Sequence, residues 1–179
     1  MNENKFPGTV TVGYMAIFIS SFYFGLIWSG WVQTITEEWV TIVLIFNILL
    51  IVAGLFSLSN TDKVDALIFL TLGANWVGFM LRFLWYPNLS ANSGAAVMDG
   101  WISFLLAIVF FGAWFASLKG NFFRKLFLLG GWLLFLSATI WNWFNIVFFV
   151  NVFAYLSLIA AVLAGIYGAS TIIDFKKKS

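Results

Sequence analysis

Polar residues punctuate this chain rather than alternate with apolar ones. Six apolar stretches run from about Val10 to Trp31, Trp39 to Leu58, Ala66 to Tyr86, Val97 to Ser117, Phe123 to Trp143 and Ile146 to Ile173. Each reaches the roughly 20 residues that a helix needs to cross a bilayer core. The pattern predicts an all-α polytopic membrane protein, with residues 1–179 forming a single domain of six transmembrane helices. The connections are short, so sequential helices are expected to pack as antiparallel neighbours. The first stretch lacks a basic leading region and a small-residue cleavage site, and it reads as a retained helix rather than a signal peptide. Helices one to three and four to six share apolar composition but no convincing repeat.

The polar punctuation fits helix ends. Thr34-Ile35-Thr36-Glu37 has the spacing of a capping box ahead of the second helix. Asp65 and Asp99 fall where the third and fourth helices are expected to begin, where carboxylates satisfy free backbone N–H groups. Leu118-Lys119-Gly120 closes the fourth with a cation and a Gly able to turn left-handed.

Composition narrows the function classes. Hydrophobic residues make up 63% and charged residues 9%, against about 45–50% and about 25% in soluble domains. A net charge of +2 gives no basic footprint for a nucleic-acid partner. With no His and no Cys, disulfides, His- or Cys-held zinc, haem or iron–sulfur clusters and His- or Cys-based catalysis are excluded. No metal site, cofactor or catalytic group is expected, and the chain does not read as an enzyme.

Charge asymmetry sets the expected orientation. Lys5, Lys63, Lys119, Arg124, Lys125, Lys176, Lys177 and Lys178 gather at one end of the helices, eight of the nine cations. The positive-inside rule therefore places both termini in the cytoplasm. Trp28, Trp31, Trp39, Trp85, Trp101, Trp141 and Trp143 gather at the opposite end, as an aromatic belt does. The Asp174-Phe175-Lys176-Lys177-Lys178 run reads as a stop signal that fixes this topology. Asn88-Leu89-Ser90 matches a glycosylation sequon at the tryptophan-rich end, with no bearing on function.

Inside the bilayer, Arg82 is the one ionisable group. It reads either as an interfacial anchor or as a vestibule cation that gathers anions at a pore mouth. No acidic residue falls at mid-depth, which argues against a carboxylate proton relay or an acid-ringed cation channel. Asn47, Asn75, Asn142, Asn145 and Asn151, with Ser20, Ser21, Thr71, Ser137 and Ser157, supply neutral polar groups for helix packing or for a small-solute route. Thr71 and Asn75 share one helix face, and Leu72 and Trp76 run beside them. Trp76 and Trp132 lie near mid-depth, where an indole N–H needs a partner that lipid cannot supply. Small residues at four-residue spacing, Ala161-Gly165-Ala169, Ala160-Ala164-Gly168 and Gly112-Ala116-Gly120, mark close helix packing or a subunit interface.

The order of several short motifs resembles the acetate uptake transporter family, the succinate–acetate permease group. They are Ala53-Gly54-Leu55, then Phe69, Gly73 and Trp76, then Phe115-Ala116-Ser117-Leu118-Lys119-Gly120, Leu134-Phe135 with Ile140 and Asn142, and Ala164-Gly165-Ile166-Tyr167. The resemblance spans roughly Gly13 to Gly168. The family's N-terminal Asn-Pro-x-Pro-Leu-Gly-Leu run is replaced by Thr9-Val10-Thr11-Val12-Gly13-Tyr14, in which Gly13 alone fits, so the chain stands on a divergent branch. The resemblance implies a homo-hexamer of six-helix protomers in the cell inner membrane, each with its own pore for acetate-like monocarboxylates moved with protons. It also implies a mid-pore constriction at Ile17, Leu72 and Gly131, with the gap at Gly131 filled by Trp132 or Trp76. The expected pathway is thus Ile17, Leu72, Asn75, Trp76, Gly131, Trp132 and Asn142, with Arg82 at the mouth. A urea or short-amide channel, and a non-transporting membrane assembly subunit, are the competing readings.

Overall fold

Lipid offers the backbone no hydrogen-bond partner, so each apolar run must close its own ladder as a helix. The computed structural model describes residues 8–32, 36–59, 63–85 and 93–176. These fold as α1 (Gly8–Trp28), α2 (Glu37–Ser59), α3 (Lys63–Trp85), α4 (Ser93–Ala116), α5 (Phe122–Phe144) and α6 (Val147–Lys176). All six contain a span long and apolar enough to cross a membrane. Thr34, the Asn88-Leu89-Ser90 sequon, the Met1–Pro7 stretch and Lys177–Lys178 lie outside the described residues.

Several expected ends move. Gly30, at φ 76°, stops α1 after Trp28 rather than Trp31, while Trp31 and Val32 donate their N–H groups back to Leu26 O. The cap of α2 is Thr36, whose Oγ1 accepts from Trp39 N at 3.5 Å. Because α4 starts at Ser93, Asp99 sits inside the helix and caps nothing. Gly120 keeps a negative φ, and α4 closes instead through a tight turn in which Gly120 N donates to Ser117 O at 2.8 Å. Asn121 opens α5, its Oδ1 accepting from Phe123 N at 2.9 Å and Arg124 N at 3.4 Å.

The helices follow one another round a ring. Helix α1 packs on α2 and α6, α3 on α2, and α5 on α4 and α6, whereas α3 meets α4 only sparsely. The small residues of α6 explain its close seat on α1. A methyl group on Gly165 would come 3.3 Å from the Phe18 ring, and one on Gly168 would come 3.2 Å from Tyr14 Cβ. Both small-residue lines of α6 therefore serve packing within the chain, while Gly112 of α4 faces open space. Exposed Ile45, Ile48 and Val52 of α2 and Leu105, Ile108 and Phe115 of α4 form the outward apolar surface.

At the lysine-rich end the odd-numbered helices are tied together by a buried polar knot. Asp65 of α3 is 1% exposed and pairs through Oδ1 with Arg124 Nη2 of α5 at 2.7 Å. The same oxygen accepts from Tyr14 Oη of α1 at 2.7 Å. The Tyr14 ring meets Phe69, Phe127 and Tyr167 edge-on at 5.1, 5.5 and 4.6 Å between centroids. Asp65 thus stands in the first turn of α3, as expected of a capping carboxylate, but its main partners come from two other helices. Breaking such a pair from one side strands the other charge at a cost of about 3–5 kcal/mol. Asp65→Ala should lower the unfolding temperature in detergent more than the double replacement Asp65→Leu with Arg124→Met, which removes both charges together.

Candidate functional site

Inside the ring lies a cavity of ≈ 830 Å³. Its wall includes Ile17, Leu72, Asn75, Trp76, Arg82, Gly131 and Asn142, all but one of the expected pathway positions. Ile17, Leu72 and Gly131 each stand nine residues beyond the first residue of their helix, Gly8, Lys63 and Phe122. At a rise of 1.5 Å per residue this places all three about 14 Å from the lysine-rich end, on one level. The wall at this level is apolar, with Phe127 of α5 and Phe110 of α4 beside the three. Beneath it lie Tyr14 and the Asp65–Arg124 pair, none of them on the cavity wall.

Toward the tryptophan-rich end the wall turns polar. Ser21, Ser157, Asn75 and Ser103 lead to Asn142, Asn145 and the Arg82–Asp99 pair. Asn145 reaches the mouth because it caps α5 in the left-handed region, at φ 53° and ψ 34°, with its N–H bonded to Trp141 O at 2.7 Å. Asn tolerates that conformation better than other non-glycine residues. Asn142 is steadied by its own helix, Nδ2 donating to Ala138 O at 2.8 Å.

The tryptophan belt is only partly a belt. Trp31, Trp39 and Trp101 are exposed, at 67%, 51% and 53%, as interfacial anchors should be. Trp28, Trp141 and Trp143 instead turn inward and line the mouth. Trp28 and Trp141 meet edge-on at 4.8 Å, and Trp143 packs on Trp101 at 5.0 Å. Gly100 of α4 makes room for Trp143, whose indole would overlap any side chain there.

Two expectations change. Trp132 is not on the cavity wall; its ring stacks at 12° on Trp114 of α4, 6.5 Å between centroids, and meets Phe111 at 5.2 Å. Gly131 faces the cavity while Trp132, about 100° further round the helix, turns to α4. Neither Trp132 nor Trp76 fills the space above Gly131. The Phe110 ring does: a Cβ built on Gly131 would overlap its Cδ1 and Cε1.

The charge at the mouth also differs from that of a lone cation. Arg82 Nη1 and Nη2 each donate to one oxygen of Asp99, both at 2.8 Å, in a bidentate fork. The guanidinium also lies 5.1 Å from the Phe79 ring centroid. Arg82 lines the vestibule as expected, but Asp99 neutralises it. This fork bridges α3 and α4, the pair of neighbours with the least packing. Of the remaining polar residues, Asn47 bonds with Ser20 at 2.8 Å away from the cavity wall, Thr71 bonds to Leu67 O at 2.7 Å, and Asn151 is exposed on the outside.

No family model matches the sequence, and no curated protein matches it. Among solved structures, the chain is similar to the bacterial acetate channel SatP, with a TM-score of 0.81 and 18% identity over 94% of this chain and 93% of that one. The likeness shows that the two share a fold: six helices in the same arrangement.

The Arg82–Asp99 fork is about a quarter exposed on each side, so solvent screening reduces its contribution to about 1–2 kcal/mol. Arg82→Asp should lower the unfolding temperature by setting two carboxylates face to face. Combining it with Asp99→Arg should recover most of the loss, a coupling that a double-mutant cycle measures directly.

Proposed function

We propose that the chain is a divergent member of the acetate uptake transporter family and passes small monocarboxylic acids, acetate-like in size, through the bundle. The observation that carries this is the cavity itself: a polar, tryptophan-framed mouth leading to an uncharged floor at Ile17, Leu72 and Gly131. It sits in a bundle that shares its fold with an acetate channel. A bare carboxylate at that floor would be an unpaired buried charge, which is very costly. The neutral acid avoids the cost. Because the proton travels on the solute, flux would show apparent proton coupling with no titratable side chain at mid-depth.

The neutralised mouth refines this mechanism. With Arg82 held by Asp99, a carboxylate has to compete for the guanidinium, so the vestibule does not concentrate anions as a free cation would. Entry then depends on the neutral fraction in solution and on hydrogen bonds from Asn75, Asn142 and Asn145. Both termini are cytoplasmic in this reading, the tryptophan-rich mouth faces outward, and the protomers assemble as a hexamer in the cell inner membrane through their outward apolar faces. The same amide-lined, charge-neutral mouth favours a second reading, a channel for urea or a short amide.

Uptake of labelled acetate and labelled urea into proteoliposomes, measured above protein-free vesicles, separates the two. For an acid of pKa about 4–5 the neutral fraction rises roughly 50–90-fold between external pH 7 and pH 5. Acetate flux should climb with it, and Leu72→Arg should cut that flux at least about tenfold by setting an unpaired charge in the floor. Acetate flux that ignores pH contradicts the weak-acid mechanism, and urea flux without acetate flux transfers the protein to the amide reading.

A further inference from the structure

We propose that Phe110, reaching across from α4, is the side chain that sets the largest acid able to pass, and that Gly131 is a glycine in order to seat it. The inference rests on the pathway reading of the cavity. Phe127, Gly131 and Phe135 are four residues apart on α5 and therefore share one face. The Phe110 ring lies over the middle of that face, 5.9 Å from the Phe127 centroid and 5.3 Å from that of Phe135. The gap between two aromatic side chains, with backbone as its floor, is a hole cut for one ring.

That seat fixes where the ring can go. Phe127 and Phe135 block it along α5, and the Gly131 backbone blocks it behind, so the one open direction is the cavity, whose wall Phe110 shares with Ile17 and Leu72. The ring is 1% exposed. Phe110 has two side-chain torsions, and with its ring clamped on both sides it is stiff. A stiff wall element discriminates by size, since a longer acid cannot displace it. The solutes it admits are short unbranched monocarboxylic acids, and the acyl chain is the part it measures. Gly131 sets how far the ring protrudes. A methyl group there would overlap the ring edge and drive it toward the axis of the route.

The test is uptake of labelled acetate and labelled butyrate at external pH 5 into proteoliposomes of the whole chain, corrected for protein-free vesicles. Phe110→Ala should raise the butyrate-to-acetate ratio about tenfold, the scale on which a pocket discriminates methylene groups. Gly131→Ala should lower acetate flux, and adding Phe110→Leu to Gly131→Ala should restore it, because the smaller side chain vacates the space that the new methyl group takes. A Phe110→Ala ratio equal to wild type overturns the inference while leaving acetate passage intact. Should Phe110→Ala not fold, the Gly131 variants decide: a Gly131→Ala loss that Phe110→Leu does not relieve overturns it equally. Wild-type protein that passes neither acid overturns the pathway reading, and the inference with it.

Discussion

Helix α3 is held in the bundle by charge at both of its ends. It packs broadly on α2 but hardly on α4, its other neighbour in the ring. Asp65 near one end binds Arg124 of α5 and Tyr14 of α1, and Arg82 near the other binds Asp99 of α4. Along the rest of the ring, neighbouring helices pack broadly on each other, so among the described residues the α3–α4 seam is the one that relies on charge rather than on packing. Ion pairs hold the seam at its ends and allow the middle to stay open. Helix α3 is thus held along its length by α2 and at its two ends by charge.

The two tethers differ in what they enclose. At the lysine-rich end the Asp65–Arg124 pair and the Tyr14 ring draw the odd helices and α6 together beneath the floor, so the cavity stops there. At the tryptophan-rich end the Arg82–Asp99 fork spans α3 and α4 while Trp28, Trp141 and Trp143 turn inward around the opening. One end is plugged and the other is framed. The side chains between them grade from amides and hydroxyls to a floor of Ile17, Leu72, Phe110 and Phe127 around Gly131, the order in which a weak acid would shed water.

Much of this was legible from residue order. The six spans read clearly because the absence of backbone partners in lipid leaves long apolar helices as the one solution. The wall positions Ile17, Leu72, Asn75, Trp76, Gly131 and Asn142 came from family resemblance and from polar groups at depth, and the fold sets all six on one cavity. What stayed hidden is instructive. Trp132 was misplaced because the stretch Leu126 to Leu136 is apolar throughout and carries no periodic signal for which neighbour faces inward. Phe110 went unseen for the same reason, inside the unmarked run Phe104 to Phe111. Asp99 read as a cap because the start of α4 was placed four residues late, and its partner lies on another helix, 17 residues away in sequence. Nothing in the spacing of Asp65 and Arg124 announces that Tyr14 would join them.

The claim on which the account turns is that the route is entered from the tryptophan-rich end and that this conformation is closed above the Tyr14 knot, so that passage requires the floor to move. The chain has no cysteine, so single-cysteine variants can be labelled cleanly with a small membrane-impermeant thiol reagent applied from that side. Asn145→Cys, Asn142→Cys and Ser21→Cys should react at rates that fall in that order. Val52→Cys on the outward apolar face and Ala66→Cys beside the knot should stay unlabelled. Reaction at Asn145 with none at Asn142 or Ser21, or reaction at Ala66 as fast as at Ser21, would contradict the route.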